Sequence, residues 1–373
     1  MTRVAAVFAL LAAALLAQQP AENHEALLQH AIELHQAGDL DGAIRAYRDY
    51  LALEPDSLQA RSNLGAALAR AGRYDDAIAE YDLGLQKSPD NPALLLNLGL
   101  AYYKMGHYAD AAARFERAVS ISPQFKDQVT MLLAVCYNGL GRYKDAAGLL
   151  APLESAKAGD AGFDYVYGTA LIGAGDQTGG AAVISRILSH GDSAEAYLLR
   201  GTLELTAHDR DHARADLEKS VALNPRLPGA HARLGELLLA FGDDEQARAA
   251  FGQELALDPD EFTSNLNLGV LAKEDQGYVE ARRFLERALK ARPNDPGVRY
   301  QVAQVDLATN NLDPARQALE LLTKESPDFA EAHATLATVY YRLNRSADGD
   351  RERALSEKLM EKRDSLAAGS RPR

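Results

Sequence analysis

The chain has 373 residues, 47% of them hydrophobic, and a formal net charge of −13. That apolar content excludes a disordered chain, and the acidity argues against a nucleic-acid binder, whose affinity comes from Lys and Arg on phosphates. The length allows two or three ordinary domains or one repeat array.

At the N-terminus a basic Arg3 precedes an uncharged apolar run, 4–16, followed by Ala17-Gln18-Gln19-Pro20. The run is shorter than the ~20 residues a bilayer span needs. Residues 1–19 therefore read as a secretory signal peptide cut near Ala17, with an uncleaved anchor as the alternative. No Cys follows the run, which argues against a lipid anchor. The expected location is periplasmic or extracellular, with no stable membrane span after cleavage. Cys136 is the single cysteine, so no disulfide can form within the chain and packing must hold it together. Cys136 itself reads as a small buried apolar residue on a helix.

Beyond the leader the chain repeats. Pro55, Pro89, Pro123, Pro225, Pro259, Pro293 and Pro327 stand 34 apart (89 − 55), with one gap of 102 (225 − 123), three times 34. Setting each Pro to position 32 aligns the rest. Position 8 is small: Ala31, Gly65, Gly99, Gly201, Gly235, Gly269, Ala303. Position 20 is always Ala in the same units, from Ala43 and Ala77 to Ala281 and Ala315, and position 24 is bulky, as at Tyr47, Tyr81, Phe115, Leu217 and Phe251. Small residues at 8 and 20 let two helices approach, and the residue at 24 fills the adjoining gap. Gly38, Gly72, Gly106 and Gly242 at position 15 end the first helix. Asp41, Asp75 and Asp313 stand where the second helix needs an N-cap and a negative charge, and Pro314 follows as a helix-opening proline.

In Leu98-Gly99, Tyr102, Ala111, Phe115 and Pro123 the chain resembles the tetratricopeptide repeat. The leading Trp of that pattern is missing; Leu95 stands there in the third unit. The resemblance implies an all-α, right-handed α-solenoid of about ten helix-turn-helix units, starting near 24, 58, 92, 127, 161, 194, 228, 262, 296 and 330. Units 1–4 occupy 24–154. A degenerate unit, 155–193, carries Gly168, Gly173, Gly175, Gly179 and Gly180 and is either a stacked repeat or a joint. Units 6–10 occupy 194–363. The last has Gly349, Arg353 and Ser356 where Ala, a bulky residue and Ala are expected, which suits a polar capping helix. Residues 364–373 are expected to be a disordered tail.

No phosphate loop, nucleophile elbow or His-Glu-x-x-His occurs. His208 and His212 fall at a turn and a helix start, and paired acids such as Asp75-Asp76 and Asp243-Asp244 also lie at turns, where they read as caps rather than acid/base pairs. Repeats fill almost everything after the leader. The expectation is a protein that is not an enzyme and holds no cofactor or metal.

The resemblance also implies where a partner sits: the first helices line an inner, concave surface, into which positions 2, 5, 6, 9, 12 and 13 point. Asn63, Asn97 and Asn267 occupy position 6, with Arg233 and Gln301 in equivalent places. Arg70, Tyr103 and Lys104 lie near the first two, and Tyr300, Tyr341 and Arg342 at the far end. An Asn amide offers a donor and an acceptor and can pair with a partner's backbone without reading its sequence. Two alternatives stand: the Asn side chains only bridge neighbouring helices, and Tyr103 and Tyr341 are packing residues. The two-carboxylate clamp of chaperone-binding members is missing, since the first unit has Leu28 and Ile32 and the third Ala93. The expected function is a protein–protein interaction scaffold that takes a partner segment in its groove. The alternative is an assembly subunit of a cell-envelope complex, gripped by its edges or convex face.

Overall fold

A lone helical hairpin cannot hide its apolar stripe, so each must shelter its neighbour. The computed structural model describes residues 24–369, and every regular element among them is helical. The expected leader lies outside the described residues. Helix α1 (24–37) pairs with α2 (Leu40–Leu53), α3 (Leu58–Arg70) with α4 (Tyr74–Lys87), α5 (Pro92–Lys104) with α6 (Tyr108–Ile121), and α7 (Lys126–Gly139) with α8 (Tyr143–Leu150). A short α9 (Glu154–Lys157) precedes the pairs α10 (Ala161–Gly173) and α11 (Gln177–Leu188), α12 (Ala194–Thr206) and α13 (Arg210–Leu223), and α14 (Ala230–Phe241) and α15 (Asp244–Leu257). Then come α16 (Phe262–Glu274) and α17 (Tyr278–Ala291), α18 (Pro296–Ala308) and α19 (Leu312–Glu325), and α20 (Ala330–Arg342) and α21 (Ser346–Gly369).

The chain divides at Pro152–Leu153 into two compact units. In the first, α2 packs on α3, α4 on α5 and α6 on α7. The second repeats the scheme, α11 on α12 and so on to α19 on α20. Its first helices also touch one another in series, from α10 and α12 through α14, α16 and α18 to α20.

The repeat residues do what their sizes suggest. Ala43, Ala77, Ala111, Ala213, Ala247, Ala281 and Ala315 are all fully buried. The position-24 side chain lies flat on the position-8 glycine: a Cβ on Gly65 would come 2.4 Å from the Tyr81 ring, and one on Gly235 2.5 Å from the Phe251 ring. In these pairs the helices are thus held at a separation only glycine permits, while Ala31 and Ala303 stand at the same position in two others.

Every pair turns through one left-handed residue. Glycine serves at Gly38, Gly72, Gly106, Gly141, Gly175 and Gly242; elsewhere His208, Gln276, Asn310 and Asn344 adopt φ between 59° and 63°. The next residue's N–H then reaches back into the first helix, as from Arg73 to the Leu68 carbonyl (2.9 Å) and from Asn311 to Asp306 (2.8 Å). Because the second helix restarts at once, its N-cap falls earlier than expected. Asp39 caps α2 by accepting from the Gly42 N–H (2.9 Å), while Arg73 and Asn311 occupy the cap positions of α4 and α19. Asp41, Asp75 and Asp313 sit inside the first turns, where their charge still meets the positive end of the helix.

At position 4 the missing Trp is replaced in several units by a polar side chain tied to the repeat proline. Arg61 Nη2 donates to the Pro55 carbonyl (2.9 Å) and Asn265 Nδ2 to Pro259 (3.0 Å), while His231 Nε2 pairs with Pro225 (2.9 Å) and His333 Nε2 with Pro327 (3.1 Å). Each tie spans the junction between consecutive pairs. In the Gly-rich unit the same position is Asp164, buried and held by Arg186 of α11 at 2.6–3.0 Å. Two of that unit's glycines are packing sites, since a Cβ on Gly168 would meet Leu199 at 2.8 Å and one on Gly180 would meet Ile172 at 2.6 Å.

The end of the chain differs from expectation. Helix α21 continues through 364–369, part of the expected disordered tail, because strong helix formers persist past Asp364.

Candidate functional site: a trough on three first helices

In the second unit α16, α18 and α20 lie side by side, and a cavity of about 590 Å³ opens on them. Lys273, Tyr300, Gln304, Thr335 and Arg342 line its polar part, and Leu307, Ala308, Ala334 and Met360 of α21 its apolar part. Its floor is one directed chain of hydrogen bonds. Lys273 Nζ donates to Gln301 Oε1 (2.6 Å) and Gln304 Oε1 (2.5 Å). Gln304 Nε2 donates to the Tyr300 hydroxyl (2.8 Å). Thr335 spends its own hydroxyl proton on the Glu331 carbonyl (2.9 Å), so the Tyr300 hydroxyl, 3.0 Å away, donates to Thr335 Oγ1. The Tyr300 ring is fixed by Phe329, its centroid 5.1 Å away. Burial pulls the Lys273 amine below its ordinary range, with Glu274 opposing weakly. Arg342 donates to the Leu307 carbonyl (2.9 Å) and to Asn310 Oδ1 (3.0 Å).

Of the residues singled out from sequence, Tyr300 and Arg342 line one trough, and Gln301 joins it by accepting from Lys273. Tyr341 does not join that face. Its ring lies where a Cβ on Gly349 would come within 2.6 Å, and its hydroxyl donates to Asp350 Oδ1 (2.8 Å), so it packs between α20 and α21. The unusual Gly349 is explained by that ring. Asn267 Nδ2 donates to the Thr263 carbonyl of its own helix (2.9 Å), and Arg233 pairs with Glu236 (2.5 Å). In the first unit Asn63 lies beside the Tyr47 hydroxyl of the preceding pair. Arg70 donates to the His35 carbonyl (3.1 Å), as Arg342 does in its own unit. Tyr103 packs on Tyr108 (centroids 6.2 Å apart) near Cys136, while Asn97 is half-buried and Lys104 exposed. Burial pushes the Cys136 thiol up to about 12, which keeps it unreactive. Lys273, Gln304 and Thr335 were missed, although they occupy positions 12, 9 and 6, among those expected to face a partner.

His212 pairs with Asp209 in the cap of α13 (2.8 Å), and among the described residues no three His, Cys, Asp or Glu side chains are placed to hold a metal ion. One acid departs from ordinary behaviour. Burial, with Asp216 beside it, pushes Glu204 of α12 up to about 7. The folded chain then binds this proton more tightly than the unfolded chain does. The stabilising contribution of this group is fully present below about 4.5 and is lost as pH rises through about 7. Glu204→Gln is expected to flatten the fall in melting temperature between pH 5 and pH 8; an unchanged slope would remove Glu204 as its source.

Two sequence models described as tetratricopeptide repeats match the chain. One covers 28–92, 198–251 and 233–296, the other 70–136, 102–167 and 274–339, so between them they span 28–167 and 198–339. The chain belongs to the tetratricopeptide-repeat family. Curated relatives of this repeat protein include anaphase-promoting complex subunit 3 of Schizosaccharomyces pombe, 24% identical over 150 residues. Human protein O-mannosyl-transferase TMTC1 is 23% identical over 200 residues. The matches take in 40% and 52% of this chain but only 23% and 22% of those proteins, so the chain spans less than a quarter of either. Among solved structures, the APC/C hetero-tetramer Cut9-Hcn1 aligns with 91% of this chain and 88% of its own at 14% identity, with a TM-score of 0.51. That likeness is one of fold.

Proposed function

We propose that this tetratricopeptide-repeat protein is a non-catalytic scaffold that holds a segment of a partner protein along its first helices, with the trough on α16, α18 and α20 as a principal contact. The observation that carries this reading is the directed polar floor beside an apolar wall. A segment laid there finds fixed hydrogen-bonding groups and a place for its apolar side chains, as peptide-binding grooves require. The apolar leader run supports export, and the partner is then an envelope or extracellular protein.

The second reading, an assembly subunit gripped at its edge, has its own support. Val279, at the start of α17, is 90% exposed, and a second cavity of about 640 Å³ opens beside it, lined by Tyr278, Arg283 and Thr309. A photocrosslinking amino acid placed in the native cell at Thr338, exposed in the trough, or at Val279 separates the two. Groove binding predicts partner adducts from position 338 and few from 279. Adducts from 279 alone would reject it in favour of the edge.

A further inference from the structure

The trough carries a charge imbalance that its own residues leave unanswered. Lys273 has three N–H donors, and two are spent on the neutral amide oxygens of Gln301 and Gln304. Arg342 likewise meets only neutral oxygens, the Leu307 carbonyl and Asn310 Oδ1. No carboxylate among the described residues forms an ion pair with either. The one acid lining the cavity, Glu331, is already taken by Arg363 of α21 (2.7 Å). Two unneutralised cations thus stand in one trough of a chain whose net charge is −13. A half-buried lysine without a close counter-ion carries a desolvation cost, and that burial draws its amine toward the neutral form, with the neighbouring Glu274 opposing. An incoming anion would relieve that cost.

From this geometry we infer that the trough is built for an acidic segment of another protein, one of whose Asp or Glu side chains ion-pairs with Lys273 while a neighbouring apolar side chain lies on Leu307, Ala334 and Met360. The inference rests on the groove reading and narrows it to a class of partner. The remaining Lys273 N–H is the primary contact, since it lies on the hydrogen-bonded floor and is the less hydrated of the two cations. Arg342 adds attraction from the rim. The cavity volume falls in the range of ordinary ligand pockets, enough for a few side chains but not a folded domain. The acidic surface elsewhere repels such a segment, which helps to confine it to the trough.

The test uses the full chain and a nonapeptide repeating Ala-Leu-Glu, acetylated and amidated so that only side-chain carboxylates are charged, with an uncharged dye for anisotropy. Its twin carries Gln for every Glu. The Glu peptide is expected to bind at least tenfold more tightly than the Gln twin at low salt and to lose most of that advantage at 1 M salt, on the order of a 3 Å screening length. It should also slow acylation of Lys273 by a dilute amine reagent, read by mass spectrometry. Lys273→Gln should bring the two peptides to similar affinity. Equal binding of both peptides to the unaltered chain would overturn the inference while leaving the groove reading intact. Failure of the Glu peptide to slow that acylation would overturn it as well. The groove reading itself falls only on crosslinks that map away from position 338. The comparison of twins needs no protein variant, so a folding defect in Lys273→Gln does not blunt it.

Discussion

Replacing Phe251 with alanine is expected to lower the unfolding free energy of the second unit by about 3–5 kcal/mol. The ring is fully buried in α15 and lies on Gly235 of α14, among Leu238, Ala247, Leu268 and Leu271. Part of the loss is the apolar surface no longer hidden; the rest is the hole left behind. The glycine opposite has no side chain to move into it, so collapse requires the two helices to close up, and the next pair resists that. In a stacked array each pair leans on its neighbours, so the damage should extend to α16 and α17. Guanidinium unfolding followed by circular dichroism measures the effect. A loss under about 1 kcal/mol would mean that the stack closes easily, and the ring would not be the spacer that its position suggests.

Breaking the Arg186–Asp164 pair is expected to cost nearly as much. Asp164 is 1% exposed, and apart from Arg186 it meets the Gly159 N–H (3.0 Å). Arg186 also reaches Glu154 of α9 (3.3 Å), so one guanidinium links three helices in the unit that is poorest in repeat residues. Arg186→Met leaves a carboxylate buried with little to balance it, which costs about 3–5 kcal/mol. Removing both charges, as Arg186→Met with Asp164→Leu, is expected to recover most of the loss, because two apolar groups in the same space need no counter-charge. A double variant no more stable than the single would show that the pair contributes by shape rather than charge.

These two sites mark the boundary of what could be read from residues alone. The ring on glycine was legible because a small residue at position 8 and a bulky one at position 24 recur with a fixed spacing, and repetition separates packing from accident. The turns were legible where they held glycine. His208, Gln276, Asn310 and Asn344 do the same work at the same position 15, where the spacing points to a turn but the residue type does not announce a left-handed backbone. The caps were misplaced because acidic residues suit both the cap and the first turn. The buried pair was not foreseen, since Arg186 and Asp164 are far apart in sequence and each looks like a surface charge. The trough was half legible: Tyr300, Gln301 and Arg342 stood out, but Lys273 resembled any solvated lysine until its two amide partners were in place. Tyr341 shows the opposite error. Its position suggested the concave face, but the missing Cβ at Gly349 lets its ring pack against α21, the packing alternative.

The ties from position 4 to the repeat proline bear on how this chain can be cut. His231 and its acceptor Pro225 are close along the sequence yet lie on opposite sides of a helix start. A fragment begun at Ala230, the first helical residue, would strand that imidazole, whereas one begun at Pro225 keeps the latch whole. Shortened versions, chimeras and grafted modules of this protein should therefore take their boundaries from the prolines rather than from the helix ends.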